Sequence, residues 1–264
     1  FVIITSVVGM TEVNGKTFKV ANKTTNTFEL QDVDGSNVDT SGYTTYSSAG
    51  TINKIYQITT TYATADLFNL KFAQSADTMY IVHPTYKPQK LTRSAHASWT
   101  IGSYAPTSDP FTSTNNYPSC VAIYEERLVF ANTNTAPQKL WFSVAGDFED
   151  ITTGTDADDA LTFTIGSDQV NAVRYLSSMR TLIIGTTGGE FTATASSTSE
   201  PITPTNIQIK RQSAYGSANV DVIPVANVTL FLQRAKRKLR ELVYDYNVDS
   251  YVAPDLTILA EHVT

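Results

Sequence analysis

Histidine and cysteine are nearly missing from this 264-residue sequence, which holds three of the first and one of the second. His83, His96 and His262 stand in no metal-ligand spacing, neither four apart on a helix nor beside the cysteine, so a zinc site is not expected. A lone Cys120 cannot form an intramolecular disulfide, and its setting in Ser119-Cys120-Val121-Ala122-Ile123 reads as a buried, inert thiol. Positive charge is also short: 19 Lys and Arg face 25 Asp and Glu, for a net charge of −6. That balance argues against a tight grip on nucleic acid, which needs many cations on phosphates, but allows a surface that DNA slides past. No apolar run approaches the roughly 18 residues of a membrane span and no secretion-type segment opens the chain, so the expectation is a soluble, cytoplasmically made protein. An apolar run, Phe1-Val2-Ile3-Ile4, opens the sequence and another precedes Thr264, so both ends read as cut from a longer polypeptide.

Catalytic signatures are scarce too. The glycine-dense stretch Gly185-Thr186-Thr187-Gly188-Gly189 holds no serine for a nucleophile elbow and no Gly-Lys-Ser/Thr for a phosphate loop. It lies between apolar strands, and the expectation is a hairpin in which Gly-Gly supplies positive φ. The acidic run Asp32–Asp39 fails the EF-hand spacing, because its glycine comes fourth and its twelfth residue is Tyr43. Asp156-Ala157-Asp158-Asp159 stays a candidate calcium cluster beside the reading as a solvated turn. No pair of carboxylates is singled out for glycoside hydrolysis. Neither a cofactor nor an enzymatic site is expected.

What is abundant is strand chemistry: 41% apolar and 11% aromatic residues, only 17% charged, with Thr, Val, Ile and Tyr in excess. Residues 1–62 read as a small β-barrel-like module. Its turns are Asn14-Gly15 between Met10–Val13 and Thr17–Val20, then Asp34-Gly35, then Ser41-Gly42 ahead of a strand Tyr43–Tyr46, with a further strand over Ile52–Thr61.

Residues 63–264 carry a longer period. The apolar quartets Met79–Val82, Leu128–Ala131, Leu182–Gly185 and Leu230–Gln233 begin 49, 54 and 48 residues apart. Strands are expected before each, over Leu67–Ala73, Cys120–Tyr124, Val170–Leu176 and Val220–Val225. Partner strands follow at Lys90–Thr92, Lys139–Phe142, Glu190–Thr192 and Leu239–Leu242. Sheets repeating at this spacing are the signature of β-propeller blades, with a β-sandwich as the alternative that the spacing disfavours. About four blades are visible, Tyr251–Val263 would open the next, and the ring reads as truncated at the C-terminus.

One basic run interrupts the acidic chain: Arg234, Lys236, Arg237, Lys238 and Arg240 put five cations in seven residues. In the repeat register it is the hairpin between the strands Leu230–Gln233 and Leu239–Tyr244, and Arg234, Lys236, Arg237 and Lys238 are candidate contacts to DNA or a neighbouring subunit. The other reading is a solvated turn.

Several runs together resemble the tail nozzle (tail tubular protein B, or tail hub) of short-tailed bacteriophages. They are Gly9–Gly15, His83-Pro84 with Lys90–Arg93, Tyr117–Val121, Arg127–Ala131, Ser199–Thr205, Tyr215–Val220 and Arg237–Leu242. Residues 1 to about 62 also resemble the small β-barrel insertion named after the ubiquitin-activating enzyme half-domain; that stretch contains no cysteine, so ubiquitin chemistry is not implied. The resemblance implies a structural protein of the virion tail, a hexamer joined to adaptor or portal proteins and to fibres or a needle, whose channel passes DNA during ejection. An acidic duct suits that role, since weak contact lets a polyanion move quickly. The alternatives are a glycan-binding or polysaccharide-degrading tail propeller.

Overall fold

The computed structural model describes residues 1–166, 170–197 and 199–259, and the chain is all-β, with five antiparallel sheets of four strands each among the described residues. Two compact units divide it, Phe1–Thr59 and Thr60–Thr264.

The first unit is one open sheet of β1 (Val2–Val8), β2 (Thr17–Ala21), β3 (Glu29–Gln31) and β4 (Ser48–Lys54), in the order β3-β2-β1-β4. β3 and β4 are its edges, so the sheet does not close into a barrel. Val2, Ile4, Val7, Val13 and Phe18 form its buried cluster. The Asn14-Gly15 turn joins β1 to β2, and Gly15 takes the positive φ of +75° that the turn needs. The expected strand before it is instead a short 3-10 turn, Thr11–Val13. The Asn14 side chain explains this: its amide donates to the Val7 carbonyl at 2.9 Å and accepts from the Val7 N–H at 2.8 Å, taking the place of a partner strand. Tyr43–Tyr46 is likewise no strand. The Glu12 carboxylate accepts both the N–H (2.9 Å) and the hydroxyl (2.8 Å) of Thr44, diverting the bond a ladder would use. The strand expected over Ile52–Thr61 ends at Lys54.

The second unit contains four successive meanders. Sheet one holds β5 (Lys71–Ser75), β6 (Thr78–His83), β7 (Tyr86–Ala95) and β8 (Ser98–Ser103). Sheet two holds β9 (Cys120–Tyr124), β10 (Arg127–Ala131), β11 (Lys139–Phe142) and β12 (Leu161–Thr164). Sheet three holds β13 (Val173–Ser178), β14 (Leu182–Thr186), β15 (Gly189–Thr194) and β16 (Gln208–Ser213). Sheet four holds β17 (Ile223–Val225), β18 (Val228–Leu232), β19 (Leu239–Asp245) and β20 (Ser250–Val252). Each apolar quartet falls on the second strand of its sheet, with Gln233 alone standing one residue past the end of β18, as the period predicts for propeller-like blades. Tyr251 and Val252, expected to open a further blade, complete β20 instead, and residues 260–264 of that segment lie outside the described residues. The first strand of sheet one starts at Lys71, after a 3-10 turn Thr64–Asn69, rather than at Leu67.

Side-chain alternation stacks the sheets. In sheet two, Val121, Leu128, Phe130 and Trp141 join Tyr80, Val82 and Tyr104 of the sheet-one side in one core. The opposite face, Cys120, Ala122, Val129, Leu140 and Phe142, meets Val173, Leu182 and Ile184 of sheet three in another. β10 and β14 are therefore buried along their whole length, which is why they read as continuous apolar runs. Sheet three turns Tyr175 and Ile183 toward Phe231 and Leu242 of sheet four. Val173 and Tyr175 face different sheets although they are two residues apart. Val173 pairs with Thr186 and Tyr175 with Gly185, so Arg174 is the extra residue of a β-bulge that flips the pleat between them.

Candidate site at the axial mouth

The first strands β5, β9 and β13 are inner edges of their sheets, and with the approach to β17 they surround a cavity of about 300 Å³ whose lining includes Lys71, Cys120 and Tyr175 from sheets one to three and Asp221 just ahead of sheet four. At the end where the first strands begin, a second cavity of about 270 Å³ opens. Asn69, Lys71 and His83 line it from sheet one, Ser119, Asn132 and Asn134 from sheet two, Arg174 from sheet three and Asn219 from the sheet-four side.

Lys71 stands between the two cavities. Its ammonium pairs with Asp221 at 3.2 Å and donates to the Arg174 carbonyl, linking sheets one, three and four. Cys120 sits beside it, 1% exposed, and burial pushes its thiol up from the ordinary range, as suits an inert core group. His83, expected in a loop, is instead 5% exposed at the end of β6. Its Nδ1 accepts the Thr85 N–H at 3.2 Å, and burial lowers its pKa against the opposing pull of Asp66, so the neutral ring turns Nε2–H toward the Asp66 carboxylate, 4.0 Å away. Asn132, at φ +63°, donates its amide to Ser119 Oγ at 2.7 Å and to the Val173 carbonyl at 2.9 Å, which ties sheet two to sheet three. Arg174 has no ion-pair partner among the described residues, and its carbonyl is taken by Lys71.

The acidic run 156–159 is organised by an internal cation. Arg127 is 2% exposed; its guanidinium donates to the carbonyls of Ser143 (2.8 Å), Asp159 (2.6 Å) and Ala157 (2.7 Å). The Asp159 carboxylate accepts the Asp156 N–H at 2.9 Å. No cluster of three or more acidic, His or Cys groups able to hold a metal occurs among the described residues, so the candidate calcium set is not assembled.

A buried carboxylate lies between sheets three and four. Glu190, on β15 and fully buried, accepts the hydroxyls of Ser213 and Ser217 (2.7 Å), and burial raises its pKa. The adjacent glycines serve close packing rather than positive φ. A Cβ on Gly188 would stand 2.1 Å from the Asn171 side chain, and one on Gly189 2.4 Å from the Ser213 carbonyl.

The basic run forms the β18–β19 hairpin, with Lys236 at φ +56° donating its N–H to the Gln233 carbonyl at 2.7 Å. Lys236, Arg237 and Arg234 are exposed, Arg234 reaching the Thr187 carbonyl at 3.4 Å. Lys238, its side chain still partly exposed, pairs with Asp255 at 2.9 Å, holding that carboxyl down at about 2. Arg240 is buried: it donates to Gln233 and to the Ala253 carbonyl and covers the Tyr215 ring at 3.5 Å. The outward charge is thus narrower than the run of five suggests.

Residues 1–55 match the family described as the ubiquitin-activating enzyme E1 FCCH domain. The FCCH match covers the open sheet of the first unit. Among solved structures, apo AztD from Citrobacter koseri is similar at a TM-score of 0.38 and 13% identity, over 85% of this chain and 51% of that one, so the chain spans about half of its length. No curated protein matches the chain.

No sequence motif groups the residues of the axial mouth, because they come from positions scattered between 69 and 219. One signal was available: a polar residue stands one or two places ahead of the first strand in sheets one and two, Asn69 and Ser119.

Proposed function

We propose that this chain is a structural component of a short phage tail, part of a hexameric nozzle that passes DNA during ejection and contacts adaptor and fibres. The observation that carries the reading is the set of exposed apolar side chains on the two end sheets, one and four. β9 and β13 of the middle sheets are mostly buried, whereas Phe72 on β5 is 62% exposed and Ile223 and Val225 on β17 are 62% and 47% exposed. Exposed strands with outward apolar side chains are what an assembling ring leaves for its neighbours. The exposed Lys236 and Arg237 supply a charged contact to the acidic surface of an adjoining subunit or to passing phosphates. The test is reconstitution with portal and adaptor rings, read by mass photometry. Assembly that is lost when Lys236 and Arg237 are reversed to Glu supports the reading, and a monomer that ignores the adaptor overturns it.

A further inference from the structure

We infer that the axial mouth is a binding site for a small anionic saccharide, a carboxylate carried on a polyhydroxylated ring, a property that goes beyond the nozzle role and does not depend on it. Strand residues of sheets one and three, and residues flanking the strands of sheets two and four, contribute to this cavity. In a chain of net charge −6, its lining holds two cations, Lys71 and Arg174, and no carboxylate. Lys71 is already engaged by Asp221, which leaves one uncommitted positive charge, the Arg174 guanidinium. One planar fork with no internal acceptor suits a monoanionic carboxylate, which it can hold through two parallel hydrogen bonds.

The rest of the lining fits the body of such a ligand. Asn69 and Asn219 are exposed amides that both donate and accept, as hydroxyl groups require; Asn134 donates its amide to the Asn115 carbonyl and presents its own carbonyl, and the His83 Nε2–H lies 4.0 Å from the Asp66 carboxylate. Pro84 is the apolar exception in the lining, so an apolar or aromatic ligand would find little surface. The volume of about 270 Å³ holds a single sugar ring rather than a polymer.

An independent observation places Arg174 here. Regular pleating would have left Val173 and Tyr175 on one face, whereas the bulge inserts Arg174 as the unpaired residue and gives its side chain a place at the mouth. The site is also held in shape before any ligand arrives. Lys71 is fixed to the Arg174 carbonyl, Asn132 to Ser119 and Val173, and His83 to Thr85.

Isothermal titration of the whole chain with glucuronate, glucose and inorganic phosphate tests the assignment. Saturable glucuronate binding is expected in the millimolar range or tighter, with glucose at least tenfold weaker. Arg174→Gln should weaken glucuronate at least tenfold. Because Arg174 has no ion-pair partner among the described residues, that variant should melt with the wild type. Asn219→Asp, at an exposed position, adds a negative charge to the mouth and should weaken binding again. Absence of glucuronate binding, binding unchanged in Arg174→Gln, or phosphate bound as tightly as glucuronate would each overturn the proposal.

Discussion

Replacing Arg127 with Met should destabilise the second unit more than any surface change. The methionine keeps most of the apolar stem and removes the guanidinium that meets the carbonyls of Ser143, Ala157 and Asp159. A hydrogen bond to a charged group contributes about 1.5–3 kcal/mol, so three of them would sum to about 5–9 kcal/mol. The full sum is not reached, because Thr152–Asp158 are exposed and part of the loop can swing out and rehydrate its carbonyls. The expected loss is about 3–5 kcal/mol, the range seen when one partner of a buried polar network is removed. At roughly 2–4 °C per kcal/mol for a domain of this size, the melting temperature should fall by about 10 °C. Arg127→Lys should fall between the two, since one ammonium cannot reach three diverging carbonyls. Urea unfolding followed by circular dichroism gives the free energy, and limited proteolysis should show new cleavage between residues 152 and 158. A Met variant within about 1 kcal/mol of wild type, with the loop still protected, would refute the reasoning.

Glu190→Gln should change how stability depends on pH. Its folded pKa is raised by burial, so its contribution is fully present below the unfolded value of about 4.3 and is lost as pH rises through the folded value, with a limiting slope of about 1.4 kcal/mol per pH unit. The Gln variant should therefore gain on wild type as pH rises across that window; parallel stability curves would show that the carboxylate carries no such cost. Gly185→Ala should cost at least about 2 kcal/mol, because its Cβ would lie 2.0 Å from the Tyr175 ring, and Tyr175→Leu in the same chain should recover part of it in thermal melts. Reversing Lys236 and Arg237 to Glu should leave the melting temperature within about 2 °C, as expected for exposed turn positions, while abolishing assembly with adaptor rings in mass photometry.

The blades were legible where burial is two-sided. Leu128–Ala131 and Leu182–Gly185 are sandwiched between sheets, so every position is apolar and the period shows through. Legibility failed where a side chain replaces a ladder bond, as Asn14 does for Val7 and Glu12 does for Thr44, because a strand pattern and its side-chain substitute share the same composition. The fourth strand of sheet four, β20, is only three residues long and half-buried, and its Tyr251 and Val252 look in sequence like the start of something new. The basic run was visible as composition, but composition does not say that Arg240 turns inward under Tyr215 or that Lys238 serves Asp255. The axial mouth was hidden for two physical reasons. Its residues are brought together only by the stacking of four sheets, and Arg174 enters it through a bulge, which breaks the alternation from which a face would be read.

The proposed nozzle role is tested most directly by negative-stain electron microscopy of this protein, purified and mixed with portal and adaptor rings. Six-fold rings that cap the adaptor are the predicted result. A monodisperse monomer that leaves the adaptor bare would contradict it.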